Sequence, residues 1–292
     1  MNITLWQTLF LALLQGVTEL FPISSLGHTV ILPSLLGWGD LVRDKHFLPL
    51  IVSLHLGTSI ALIMYFWRDW VKILRTLGDS IKQGEIQRGT DSWVNWLILI
   101  GCIPSGLIGV FLETPLKDLF ASPPIAASFL IVNGFILFFG ERLRQRRTIL
   151  RAEAGKLIVE TSSRALSSLT WKEALLIGLA QSLALLPGIS RSGVTMVAGL
   201  GVRLNHEDAA RYSFLFGTPL IGAAAFLEIP QLFGQSAYVL LIIVIGIIVS
   251  GIAAFLSTKF LLRYFETGRL HSFAYYCWAA GLLSLALLLL FH

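Results

Sequence analysis

The sequence predicts an all-α polytopic membrane protein, folded as an inverted-topology repeat in which each half is a re-entrant helical hairpin plus three transmembrane helices. Three observations predict it. The chain of 292 residues is 55% hydrophobic and only 13% charged, where soluble domains carry roughly 25% charged residues. Six apolar runs are each about 20 residues long, the length that crosses a bilayer core. Two further apolar stretches are interrupted near their middles by Pro, Gly and Ser.

The elements follow in order. Residues 3–37 form the first broken stretch, interrupted by Pro22, Ser24, Ser25 and Gly27. Spans at 48–67, 93–112 and 122–140 complete a first half over residues 1–140. An Arg-rich polar linker occupies 141–169. A second half over 170–292 opens with the broken stretch 171–204, interrupted by Pro187, Gly188, Ser190, Ser192 and Gly193, and continues with spans at 212–229, 237–258 and 273–291. Non-helical backbone at membrane depth is tolerated where protein or a water-filled cavity covers it. Each broken stretch therefore reads as a hairpin that enters the membrane and returns. The alternative is eight simple spans.

Charge orients this arrangement. Basic residues crowd the segment after the first span (Arg68, Lys72, Arg75, Lys82, Arg88), the linker, and the loop holding Lys259, Arg263 and Arg269, while 230–236 carries no charge. The positive-inside rule makes the basic segments cytoplasmic and puts both termini outside. The net charge of +5 thus reads as orientation. No compact basic module with interleaved aromatics occurs, so no nucleic-acid partner is expected. Cys102 and Cys277 lie within apolar runs and read as buried thiols. The first apolar run has neither the basic flank nor the small-residue cleavage site of a signal peptide, and reads as mature structure.

The halves repeat. A shift of 166 aligns Gln15 with Gln181, Ile23 with Ile189, Ser24 with Ser190, Gly27 with Gly193 and Thr29 with Thr195; a shift of 160 aligns Gly57-Thr58 with Gly217-Thr218. Three spans per half is an odd number, so the second half enters inverted. Interrupted segments at corresponding places in inverted halves point to a site between them.

The first hairpin reads QGVTELFPISSLGHT from Gln15 to Thr29. Gln15 and Glu19 share a helix face. An ionisable residue in an apolar run faces a cavity or a partner. Pro22 ends the helix, and Ser24 or Ser25 then caps the next one, with His28 in its first turn. Taken singly, Ser24 is a helix cap and His28 a core histidine. A carboxylate, two hydroxyls and an imidazole within ten residues read together as a functional cluster. The second hairpin reads LPGISRSGVT from Leu186 to Thr195. A buried Arg191 needs an anion. Glu19 is one candidate and a phosphate another, since Ser190, Ser192 and Gly193 open a helix whose free N–H groups favour phosphate. Base, hydroxyls, imidazole, guanidinium and N–H donors are the set that phosphoryl transfer needs. His55 is a weaker candidate, balanced against core packing. Asn133, Arg203, Arg211 and Glu228 read as structural or interfacial.

With both motifs in view, the chain resembles the undecaprenyl-diphosphatases, also called bacitracin resistance proteins, over essentially its whole length. Gln15, Glu19, Pro22, Ser24, Ser25, Gly27 and His28 match one family motif, and Pro187, Gly188, Ser190, Arg191, Ser192 and Gly193 the other. The resemblance implies hydrolysis of a C55 isoprenyl diphosphate to its monophosphate and inorganic phosphate. That reaction recycles the lipid carrier for peptidoglycan synthesis and confers bacitracin resistance. It implies a divalent cation, Mg2+ or Ca2+, with Glu19 as its ligand. It also implies a bacterial plasma (inner) membrane location, a site open to the outer face, and compatibility with a homodimer. By position it implies Glu19 as the acidic residue, His28 as proton donor or nucleophile, and Ser24 and Ser25 as nucleophile or phosphate ligands. Arg191 becomes the phosphate clamp, and Gln15, Gly27, Ser190, Ser192, Gly193 and Thr195 supporting or phosphate-binding groups. This sequence departs from the family where Gln15 stands in place of a common Glu, where Leu26 stands in place of Thr, and at 50–55, which lacks an acidic residue some members carry. A neutral amide is no base and a poorer metal ligand.

Two rival functions share these features. Inverted repeats with broken helices also build transporters, so a polyprenyl-phosphate flippase would use Arg191 to bind a lipid phosphate and need no nucleophile. A lipid phosphatase of the phosphatidic acid phosphatase type would carry a K-x6-R-P motif, which is absent.

Overall fold

A computed structural model describes residues 2–86, 88–112, 119, 122–152 and 163–291. Among these residues the regular structure is entirely helical. The first hairpin consists of α1 (Leu5–Thr18) and α2 (Ser25–Leu35); a short α3 (Gly39–Arg43) leads to α4 (Phe47–Tyr65), α5 (Trp67–Gln83), α6 (Asp91–Phe111) and α7 (Pro123–Ala152). The second hairpin consists of α8 (Trp171–Gln181), a 3-10 turn (Ser182–Leu185) and α9 (Arg191–Gly201), followed by α10 (His206–Glu228), α11 (Ala237–Phe265) and α12 (His271–Phe291).

Six helices, α4, α6, α7, α10, α11 and α12, are long and apolar enough to cross a membrane, and the chain is a multi-pass membrane protein. Each falls within a few residues of a predicted span, except that α10 starts six residues before position 212 and α7 and α11 run on past 140 and 258. The hairpin arms have 14 residues in α1 and 11 in each of α2, α8 and α9. At 1.5 Å per residue, none can cross a core of about 30 Å alone.

The two hairpins are built alike. α1 opens on a capping box between Thr4 and Gln7, and α8 on one between Thr170 and Glu173. Ser24 caps α2 through the Gly27 N–H, and Ser190 caps α9 through the Gly193 N–H. Both pairs of caps are 166 residues apart. Helices distant in sequence also pair: α1 packs on α11, and α8 packs on α6. α4 packs against α10, α7 against α12, and both α2 and α9 lean on α7. Glycines permit the closest of these approaches. A Cβ at Gly178 of α8 would strike the Gly101 carbonyl of α6, and one at Gly57 of α4 the Ile247 carbonyl of α11.

Two features differ from the sequence expectation. The helix of the third span does not stop at 140: α7 continues through the first residues of the linker to Ala152. Glu141, assigned to that polar linker, is fully buried. It pairs there with His206, 65 residues away, at 2.6 Å and accepts the Leu270 N–H at 3.2 Å. Residues 153–162 of the linker lie outside the described residues. The second difference is α5. The basic segment after the first span is an amphipathic helix that buries Ile73 and Ser80. Asn95 and Trp96 of α6 hydrogen-bond to its Thr76 and Ser80. Arg211 of α10 pairs with its Asp69 at 2.5 Å, an interfacial role in line with expectation.

Candidate active site

The two hairpin turns meet. A Cβ at Gly27 would come within 2.9 Å of the Gly188 Cα, so the turns touch backbone to backbone there. Gly188 itself has φ 101°, a value glycine reaches without steric cost. Around this contact the first hairpin offers the Phe21 carbonyl, which lies 3.2 Å from Ser192 Oγ and 3.4 Å from Ser190 Oγ. Asn133 of α7 braces both hairpins. Its Nδ2 donates to the Pro22 carbonyl at 2.9 Å, and its Oδ1 accepts the Ser190 N–H at 3.0 Å. Asn133 is fully buried.

Glu19 lies at the centre of the cluster. It sits just past the last turn of α1, where Pro22 has ended the helix, and is 6% exposed. One oxygen, Oε2, lies 2.5 Å from Ser25 Oγ, 3.1 Å from Gln15 Nε2 and 3.2 Å from His55 Nε2. The other, Oε1, lies 3.2 Å from Arg191 Nε. A carboxylate removed from water persists only when paired and fully hydrogen-bonded, and these four partners supply that. Arg191, in the first turn of α9, also donates from Nη1 to the Ser213 carbonyl at 3.1 Å. Its Nη2 is buried without a partner, as is Oε1 of Gln15. A buried orphan donor costs about 1–3 kcal/mol, so an unpaired guanidinium nitrogen beside an acid–hydroxyl pair marks a place for an anion.

The sequence-predicted residues therefore divide. Gln15, Glu19, Ser25 and Arg191 converge. Ser24 and Gly27 build the turn that presents Ser25. Ser190, Ser192, Gly193 and Thr195 were expected as phosphate ligands, yet their polar groups engage protein. The serines bond each other at 3.1 Å and face Phe21, the Gly193 N–H binds Ser190 Oγ, and Thr195 Oγ1 bonds Ser213 Oγ at 2.5 Å. The two serines tie the second hairpin to Phe21 of the first, and Thr195 ties α9 to α10. His28 was expected among the reacting groups. Its ring instead bonds the Ser24 carbonyl at 2.6 Å and the Tyr276 hydroxyl at 2.8 Å. The imidazole beside Glu19 belongs to His55, which sequence reasoning ranked low. Arg203 has φ 73°, and its carbonyl accepts the Arg164 N–H.

The site also bears on a cation. Among the described residues no three His, Cys, Asp or Glu side chains group as a metal centre. Mg2+ and Ca2+ prefer oxygen ligands, and Mg2+ is commonly held by one or two carboxylates plus substrate phosphates. Glu19, Gln15 and Ser25 are neighbouring oxygen-bearing side chains and are the residues here that could hold such a cation.

Fold and site together define a class: a multi-pass α-helical membrane protein in which two broken hairpins close around one buried carboxylate paired to arginine, histidine and serine. The chain belongs to the bacitracin resistance protein BacA family, whose description matches residues 8–283. It is 46% identical over 289 residues to the undecaprenyl-diphosphatase of Mycolicibacterium paratuberculosis, with 94% of each chain covered. It is 45% identical over 285 residues to that of Acidiphilium cryptum, with 95% of each covered. Undecaprenyl-diphosphatase 1 of Burkholderia pseudomallei (strain 1106a) is 43% identical over 289 residues, which covers 97% of this chain and 96% of the relative.

Proposed function

We propose that this chain is a membrane phosphatase that hydrolyses undecaprenyl diphosphate to undecaprenyl phosphate and inorganic phosphate. The observation that carries the proposal is the 2.5 Å contact between Ser25 Oγ and Glu19, with an unpaired Arg191 nitrogen beside it. A hydroxyl on a carboxylate base is an activated nucleophile, and a guanidinium is suited to phosphate.

The steps follow from that contact. Arg191 holds the terminal phosphoryl group. Ser25 Oγ attacks its phosphorus, and Glu19 takes the serine proton. The bond from that phosphorus to the bridging oxygen breaks, and the lipid monophosphate leaves with the electron pair. Water then attacks the phosphoserine, its proton passing to a phosphate oxygen, while Glu19 returns the first proton to Ser25 Oγ. Free phosphate and the starting serine result. His55, with one ring nitrogen toward Glu19 and the other 3.1 Å from the Ile51 carbonyl, fixes the carboxylate from the side opposite Arg191. A divalent cation held by Glu19, Gln15 and Ser25 would neutralise diphosphate charge as the leaving group departs.

The shared caps of the two hairpins and their pairing with helices distant in sequence support an inverted pseudo-two-fold relation between halves 1–140 and 170–292. The basic segments support a cytoplasmic linker in a bacterial inner membrane, with the hairpin site reached from the outer side. The test is turnover by purified protein in detergent, where no gradient exists. Mass spectrometry should find isoprenyl monophosphate and inorganic phosphate in equal amounts. Lipid binding by folded protein without phosphate release would instead favour the flippase.

A further inference from the structure

His28 carries a different role from the one its motif suggests. Ser24 has φ 69° and ψ 104°. Among the described non-glycine residues only Ser24 and Arg203 have positive φ. Side chains rarely adopt such a backbone, and it persists only where the surroundings over-determine it. Ser24 Oγ accepts the Gly27 N–H at 3.2 Å, and the Ser24 carbonyl accepts the His28 backbone N–H at 3.4 Å and meets the His28 ring at a shorter distance. A carbonyl can only accept, so Nδ1, 2.6 Å from the Ser24 oxygen, carries the proton. Nε2 of the neutral ring then has a lone pair, and the Tyr276 hydroxyl at 2.8 Å donates to it. The two rings also stack, with centroids 5.6 Å apart and planes 15° from parallel. His28 is 4% exposed. Both its nitrogens have partners, and neither partner is Glu19 or Ser25. The residue after the strained one is Ser25, whose hydroxyl meets Glu19.

We propose that His28 is a positioning residue, and that Tyr276, contributed by α12 from the far end of the chain, is its partner: together they pin the Ser24 carbonyl in the strained turn that aims Ser25 at Glu19. The inference rests on the phosphatase reading and deepens it. Tyr276 fixes the tautomer of His28, His28 fixes Ser24, and Ser24 fixes the nucleophile. The chain of bonds joins the second half's last helix to the first half's hairpin without touching substrate.

The test is a variant series assayed for phosphate release from an isoprenyl diphosphate, with kcat and KM separated. His28→Ala should lower kcat about tenfold or more while leaving KM near the wild-type value, since it frees a strained turn. His28→Asn keeps an N–H donor near the Nδ1 position and should recover most of that loss. Ser24→Gly in the His28→Ala background should also recover turnover, because glycine reaches positive φ unaided. Tyr276→Phe should lower kcat by about threefold alone and add nothing in the His28→Asn background, where no Nε2 remains to bind. Asparagine as inactive as alanine, with no rescue by glycine, would return His28 to the chemistry and overturn the proposal. A second readout does not depend on turnover: nitrogen-15 NMR of labelled histidine should show a neutral His28 protonated at Nδ1, with a resonance that moves in Tyr276→Phe. A proton on Nε2 instead would equally overturn it. Absence of turnover in folded wild type counts against the phosphatase reading, and the NMR result still decides this one.

Discussion

Gly217 offers a way to move the Arg191 guanidinium without touching Arg191. It lies in α10, and a Cβ built there would fall inside the Arg191 guanidinium; its three nearest atoms are Nη1, Cζ and Nη2 of that side chain. Gly217→Ala therefore expels the guanidinium from between Glu19, 3.2 Å from Nε, and the Ser213 carbonyl, 3.1 Å from Nη1. The obstacle is the mobile end of a side chain, and alanine favours helix by about 1 kcal/mol over glycine, so the fold should survive. The phosphate clamp should not. A hydrogen bond to a charged group is worth about 1.5–3 kcal/mol. Losing that much from the transition state lowers kcat/KM by about 10- to 150-fold. Gly106→Ala is the control, because its nearest neighbour, Leu220 Cδ1, would be 3.8 Å away, and it should behave as wild type. The assay is phosphate release in detergent beside a thermal melt. A Gly217→Ala protein with wild-type kcat/KM would refute the claim that Arg191 must stand where it does.

Three further outcomes are expected. Asn133→Ala breaks the brace from Asn133 to Pro22 and Ser190, strips the Ser190 N–H of its acceptor and leaves the Pro22 carbonyl only the Cys277 thiol at 4.0 Å; a buried unpaired group costs about 1–3 kcal/mol, so the melting temperature should fall by several degrees, read by scanning fluorimetry. Acid-quenched enzyme given isoprenyl diphosphate labelled in the terminal phosphate should carry that label on Ser25, and Ser25→Ala should carry none; label on Ser25→Ala would remove the serine from the mechanism. Chelation should depress turnover and added Mg2+ or Ca2+ restore it, with Gln15→Glu lowering the metal concentration needed, because a carboxylate then replaces an amide oxygen. Unchanged metal dependence in Gln15→Glu would take residue 15 out of the cation's reach.

Much of this was legible in the sequence because the bilayer is a demanding solvent. Length and apolarity locate the six long helices to within a few residues at most ends, and Pro, Gly and Ser within otherwise apolar stretches locate both hairpins. The cap at Ser24 follows from a hydroxyl placed after a helix-ending proline. The cost of burying a charge alone calls for an anion at Arg191, with Glu19 one of two candidates; the fold is what brings Glu19 to it. Other parts left no trace in pattern. A lone histidine in an apolar span does not announce which face it occupies, so His55 could not be placed beside Glu19. The hydroxyls of Ser190 and Ser192 look equally fit for phosphate or for the Phe21 carbonyl; only the meeting of the hairpins decides. The same is true of Glu141 and His206, and of His28 and Tyr276, which lie 248 positions apart. Helix α5 was hidden for another reason. Its basic residues read as an orientation signal, and they mask the apolar stripe between them.

The most direct test of the central claim, that the two hairpins form one catalytic site around Glu19, is phosphate release from undecaprenyl diphosphate by purified wild type, Glu19→Gln, Ser25→Ala and Arg191→Gln, each first shown to be folded. Turnover is expected in wild type, with a loss of at least about a hundredfold in all three variants, the size expected for removing a base, a nucleophile or a charge clamp. Undiminished turnover in Arg191→Gln with loss in Glu19→Gln would place the chemistry on the first hairpin alone and contradict it.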